Sequence, residues 1–173
     1  GEHCLAMLLS LFNNITKANI ELKSGLFLRE ENRGVELDGK AVGIIGYGHT
    51  GQAFAKKLRG FDVEILVYDK YRSNIGHDYI QEVTLDYLLQ HADIISFHVP
   101  LTNETTHYYD QAFIDRATKP HILINASRGA VADTSAILNG LKSGKIIGAC
   151  LDVLEEEKNI EQVLQQSSNQ IAE

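Results

Sequence analysis

Residues 41–51 read Ala41-Val42-Gly43-Ile44-Ile45-Gly46-Tyr47-Gly48-His49-Thr50-Gly51. A short apolar run of strand type, Ala41 to Gly46, leads into a glycine-spaced turn, and His49 to Leu58 reads as a helix behind it. In that setting the three glycines have separate tasks. Glycine at 46 permits a tight turn, glycine at 48 lets a pyrophosphate approach the backbone, and glycine at 51 lets helix and strand pack closely. The phosphates would sit at the positive end of the helix. His49 and Thr50, in its first turn, belong to the same candidate binding segment.

Outward from this stretch, strands and helices alternate. Val63 to Tyr68 is a second strand, and residues 78–83 are a candidate third. Leu85 to Gln90 is a helix with Thr84 as its N-cap. Asp93 to Phe97 is a strand, Asp110 caps a helix ending at Arg116, and His121 to Asn125 is the next strand. Asp133 caps a helix reaching Lys142, Gly144 ends it, and Ile146 to Val153 is the last strand. Repeated strand–helix–strand units imply right-handed crossovers. The expected fold class is α/β: a Rossmann-type doubly wound parallel sheet with helices on both faces. Ahead of it, residues 2–19 read as one long apolar helix, with Leu5, Leu8, Leu9, Phe12 and Ile15 at helical spacing. Met7 and Leu11 widen its apolar face beyond what a surface helix needs.

A chain of 173 residues with 44% hydrophobic content suits one globular domain and excludes a disordered one. The longest near-apolar run, Cys4 to Phe12, is far below the roughly 20 residues that span a bilayer, and no basic segment precedes it as in a signal peptide. No membrane partner is expected. Sixteen basic against 23 acidic residues, without a basic stripe, leaves no footprint for nucleic acid. Cys4 and Cys150 stand far apart in sequence and form no CxxC pair, which fits a reducing cytoplasm. No metal-ligand spacing is present.

Several polar residues lie where ligands bind in such sheets, at strand carboxyl ends. Asp69 follows the second strand, 18 residues after Gly51. An acidic side chain there accepts bonds from the adenosine ribose hydroxyls and repels a 2′-phosphate, which favours NAD over NADP; Lys70 and Arg72 nearby would soften that discrimination. His98-Val99-Pro100 and Asn125-Ala126-Ser127-Arg128 each follow a strand. Arg128 is a candidate carboxylate clamp, because a guanidinium matches carboxylate geometry bidentately. Asp152 closes the last strand, followed by Glu155, Glu156 and Glu157, a run that by itself reads as a solvated face.

In order along the chain, five blocks resemble the NAD-dependent D-isomer-specific 2-hydroxyacid dehydrogenases: Glu2-His-Cys-Leu-Ala-Met-Leu-Leu, the segment Arg29 to Lys40, residues 88–110, Asn125-Ala-Ser-Arg-Gly, and Gly148-Ala-Cys-Leu-Asp-Val. The blocks around 29–51 are nearest the phosphoglycerate dehydrogenases. The resemblance implies an NAD-binding domain of an oxidoreductase that moves a hydride between NAD(H) and a D-2-hydroxy or 2-keto acid, with 3-phosphoglycerate as one candidate. It further implies that Arg128 binds the substrate carboxylate, that Glu157 pairs with a catalytic histidine, and that Asp152 contacts the nicotinamide carboxamide. His98 to Pro100 would wall the adenosine side, with Thr105 a nearby cofactor contact and Asn125, Ala126 and Ser127 in the cofactor loop. Two departures stand out: Thr50 replaces an aliphatic residue, and Lys158 replaces the proline that commonly follows the glutamate, which leaves Glu155 or Glu156 as the alternative to Glu157 if the loop shifts.

None of the seven histidines matches the family's Pro-His context. The expected organisation is therefore one nucleotide-binding domain over 1–173: leading helix 2–19, core 41–153 and a truncated tail 158–173. The substrate domain would lie outside it, and the chain alone would be inactive. A homodimer through helix 2–19 is expected. The competing reading is an NAD-sensing dimeric co-regulator of the same family; an S-adenosyl-nucleoside binder would leave Arg128 and the Asp152/Glu157 pair without roles.

Overall fold

The computed structural model describes residues 1–155; Glu157 and the tail 158–173 lie outside the described residues. Six strands form one parallel sheet: β1 Ala41–Ile45, β2 Glu64–Tyr68, β3 Gln81–Glu82, β4 Ile94–Phe97, β5 His121–Asn125 and β6 Ile146–Leu151. Their spatial order is β3-β2-β1-β4-β5-β6. The chain runs outward from β1 in one direction through β2 and β3, then returns to start β4 on β1's other side. The crevice beyond the carboxyl ends of β1 and β4 is thus the switch point where such sheets take ligands.

Period-two alternation divides the sheet's side chains between two cores. Ala41, Ile45, Leu66, Ile95, Phe97 and Leu123 pack with α4 (Leu85–His91), α5 (Gln111–Arg116) and α6 (Thr134–Ser143). Val42, Ile44, Ile65, Val67, Ile94 and Ile124 pack on the opposite face with α1 (Glu2–Phe12) and α3 (His49–Leu58). Central strands β1, β4 and β5 are buried along their whole length, as strands covered on both faces must be. The caps fall where the sequence places them. Thr84 accepts from Tyr87 N, Asp110 from Phe113 N, and Asp133 from Ser135 N and Ala136 N. Gly144 closes α6 in the left-handed region.

The single helix expected over 2–19 is corrected to two. α1 stops at Phe12, and α2 runs from Ile15–Lys23. Between them Asn14 takes φ 51°, and the incoming 33–35 segment claims the helix end: Val35 N donates to Phe12 O. α1 buries Cys4 and Leu8 against the chain's own sheet, whereas α2 buries nothing. The third strand is shorter than 78–83, because a His77–Ile80 bridge folds its first residues into a turn.

One buried polar pair sits at the sheet's amino end, away from the ligand crevice. Tyr109 hydroxyl and His121 Nε2 lie 2.8 Å apart, both fully buried. Burial pushes the Tyr109 phenol up and the His121 imidazole down, so both are neutral. Tyr109→Phe strands His121 Nε2 without a partner. It is expected to cost about 1–3 kcal/mol of unfolding free energy in urea titration.

Candidate cofactor site

The glycine turn is built by close backbone approach. Gly46 has φ +90°, and a Cβ there would meet the His98 carbonyl oxygen at 2.8 Å. A Cβ at Gly51 would stand 2.2 Å from the Gly46 carbonyl oxygen. Gly48 is different: a Cβ there would meet nothing within 4 Å. The backbone at 48 therefore faces open space in front of the α3 N-terminus, whose first amides have no intrahelical acceptor. That is the fit expected of a pyrophosphate seat. His49 and Thr50 are exposed in the same first turn.

From behind, the turn is fastened by side chains. Tyr47 N donates to Asp69 Oδ2 at 2.8 Å, and Tyr47 O accepts from Gln52 Nε2 at 3.1 Å and from Arg72 Nη1 at 2.5 Å. Asp69 Oδ1 also accepts from Tyr71 N and Arg72 N, so this carboxylate organises the loop after β2 as well as facing the cleft. Gln52 and Arg72 carry no motif signal; their role depends on a carbonyl that the fold brings to them.

A cleft of about 760 Å³ opens at the switch point. It gathers Gly46, Gly48, Asp69, His98, Val99, Pro100 and Thr105 from the expected set, together with Lys70, Tyr71, Thr102, Glu104 and Tyr108. Thr105 shapes its wall: Thr105 Oγ1 donates to Pro100 O at 2.6 Å and accepts from Thr102 N at 2.8 Å. His98 Nε2 lies 2.8 Å from the Ser96 hydroxyl, and its ring sits 5.5 Å from that of Phe54. Burial lowers its pKa to about 4, leaving it neutral at pH 7.

The remaining expected residues lie on the next two loops. Buried Asn125 fastens the turn after β5: its Oδ1 accepts from Ser127 N and Ser127 Oγ, and its Nδ2 donates to Arg128 O at 3.0 Å. Ala126 packs against the α1–α3 core. Arg128 is exposed and donates through Nη1 to Ser127 O at 2.7 Å. Asp152, after β6, lies 2.8 Å from His3 Nε2 on α1. Glu155 is tied to the α6 N-terminus, accepting from Thr134 N at 3.2 Å and Thr134 Oγ1 at 3.0 Å, and it pairs with His107. Burial alone would raise the Glu155 carboxyl, but the His107 and Thr134 bonds hold it below its ordinary value, while Glu155 raises the His107 imidazole. With both its oxygens engaged, Glu155 is a fastener of the segment after β6. No sequence signal pairs it with a histidine 48 residues away.

Comparison with known proteins gives this geometry a family. The profile for the D-isomer specific 2-hydroxyacid dehydrogenase NAD binding domain matches residues 5–172. The chain belongs to that family. As an NAD-binding domain of the D-2-hydroxyacid dehydrogenases, it is 40% identical over 169 residues to the glyoxylate reductase of Thermococcus litoralis, covering 91% of this chain and 50% of that protein. It is 37% identical over 169 residues to the D-3-phosphoglycerate dehydrogenase of Bacillus subtilis, covering 95% of this chain and 32% of that protein. Among solved structures, an NAD-dependent formate dehydrogenase from Staphylococcus aureus in complex with NAD superposes with a TM-score of 0.83 at 30% identity, over 91% of this chain and 48% of the other. The domain thus spans half or less of the length of these three proteins.

Proposed function

We propose that this domain holds NAD(H) for hydride transfer between a 2-keto acid and its D-2-hydroxy acid, with small 2-keto acids of the glyoxylate, hydroxypyruvate or 3-phosphohydroxypyruvate type as the compounds reduced. NADH, when bound, supplies the hydride. The observation that carries the reading is the open face of Gly48 at the switch point, backed by a turn that Asp69 and Arg72 hold rigid. The pyrophosphate would lie against the amides of residues 48–50, and Asp69 would take the ribose hydroxyls. His98 to Pro100 and Thr105 would wall the adenosine, with Asn125, Ala126 and Ser127 alongside, and Asp152 would hold the carboxamide. Arg128, on a turn stiffened by Asn125, would clamp the substrate carboxylate and leave its carbonyl aimed at the nicotinamide. Glu157 would partner a proton-donating histidine supplied from outside residues 1–173.

Calorimetric titration tests the cofactor half. The domain is expected to bind NAD+ more tightly than NADP+, and Asp69→Ala to weaken NAD+ binding by about 10- to 100-fold, matching the 1–3 kcal/mol of lost charged hydrogen bonds. Equal affinity of the wild type for the two cofactors would overturn the assignment of Asp69.

We further infer a homodimer. Leu11, Ile15, Ile20, Leu22, Leu26 and Phe27 are large apolar side chains left exposed along α1, α2 and the turn after them, and such a concentration favours an interface. Leu8 is fully buried within its own chain, so the decisive substitutions are Ile20→Glu and Phe27→Ser. Sedimentation at low micromolar concentration is expected to show a dimer for the wild type and a monomer for the double variant. No helix among the described residues is long and apolar enough to cross a membrane. The unpaired, buried Cys4 and Cys150 support a reducing, cytoplasmic setting.

A further inference from the structure

Two cations follow Asp69, and both are committed. Arg72 turns back to the Tyr47 carbonyl at 2.5 Å. Lys70 reaches from the loop after β2 to Glu104, on the loop after β4, with Nζ 2.7 Å from Oε2. The Tyr71 hydroxyl donates to the same carboxylate oxygen, and the Lys70 ammonium stands 5.4 Å from the Tyr71 ring centre. Lys70, Tyr71 and Glu104 all line the cleft that also holds Asp69.

We propose that Glu104 is a second determinant of cofactor choice, acting across the cleft by occupying the Lys70 ammonium that would otherwise serve a 2′-phosphate. This rests on the reading that the adenosine half of the cofactor lies in this cleft. A 2′-phosphomonoester carries close to two negative charges. It would meet the Asp69 carboxylate beside an ammonium that Glu104 has already neutralised. The 2′-hydroxyl of NAD is uncharged and needs no cation. Glu104 thereby cancels the softening that Lys70, standing next to Asp69, would bring to phosphate rejection. Lys70 and Glu104 are each more than half exposed, so the effect is screened and modest beside that of Asp69.

The test is a double-mutant cycle read as the ratio of NADP+ to NAD+ dissociation constants, by calorimetry on the 173-residue chain at low ionic strength. Glutamine at 104 keeps the length of the side chain and an acceptor for the Tyr71 hydroxyl. Glu104→Gln is expected to lower the ratio about 5- to 10-fold, with a smaller change in high salt. In a Lys70→Gln background the same exchange is expected to move the ratio less than 2-fold. An unchanged ratio in Glu104→Gln, or an equal fall in both backgrounds, overturns the proposal while leaving NAD binding intact. Failure of the wild type to bind NAD+ overturns the cofactor reading itself.

Discussion

Gly51→Ala and Gly48→Ala are expected to fail in opposite ways, although they alter the same turn by one methyl group each. At Gly51 the new Cβ would lie 2.2 Å from the Gly46 carbonyl oxygen, a backbone atom that cannot swing aside. The turn or the first helical turn of α3 must shift, and Ile44, 3.4 Å from the same point, limits how far. Overpacking of this kind costs about 2–3 kcal/mol, which for a chain of this size lowers the melting temperature by roughly 5–10 °C. At Gly48 the methyl enters open space, so unfolding free energy is expected to change by less than about 1 kcal/mol, the scale of altering an N-cap. Yet that space is where a pyrophosphate would touch the backbone. NAD+ affinity is expected to fall about 30-fold, the equivalent of about 2 kcal/mol of steric exclusion. Thermal melts and titrations of both variants check the pair. A Gly48→Ala protein that is destabilised but binds NAD+ normally would remove the phosphate seat from this turn.

What the sequence displayed of this fold is what depends on near neighbours. Thr84, Asp110 and Asp133 cap the helices they precede because a cap needs only an amide two or three residues on. The glycine turn is legible for the same reason, since its three tasks lie within six residues. The break between α1 and α2 is not local. Apolar spacing continues through Ile15, but residues 33–35 approach from elsewhere in the chain, and Asn14 Nδ2 and Val35 N form bonds that close off the helix end. The site divides in the same manner. Asp69, His98 and Arg128 are visible because they follow strands at the carboxyl edge. Their partners are not: Glu104 meets Lys70 across 34 residues, and His3 meets Asp152 across 149. Asp69 shows the limit within a single residue. Its position after β2 points to the ribose, while three backbone amides at 47, 71 and 72 use the same carboxylate to build the loop.

Acid is expected to destabilise the domain before its carboxylates titrate, and His98 is the main cause. Burial beneath the glycine turn lowers its pKa to about 4, against an ordinary value of 6.5. Between those two values the unfolded chain binds a proton at this residue and the folded chain does not. Stability therefore rises with pH across the window and is lost as pH falls below about 6.5. From pH 7 to pH 5, His98 alone is expected to remove about 2 kcal/mol, and by full protonation of both states about 3 kcal/mol. His121, lowered by burial at the other end of the sheet, acts in the same direction. His107 has the opposite sign. Glu155 raises its pKa, so its contribution is complete below 6.5 and lost only as pH rises above that value, leaving the acid window flat. The depressed carboxyls of Glu155 and Asp93 begin to lose their contributions only below the ordinary carboxylate values of 4.5 and 3.8. Urea unfolding at pH 7, 6 and 5 follows His98 and His121 together. His98→Gln, which keeps a polar partner for Ser96 without the titrating ring, is expected to flatten the dependence by about 2 kcal/mol. Direct observation of the His98 ring protons by NMR gives a second reading in the unaltered protein. A ring that titrates near 6.5 in the folded state would remove His98 as the source of the acid sensitivity.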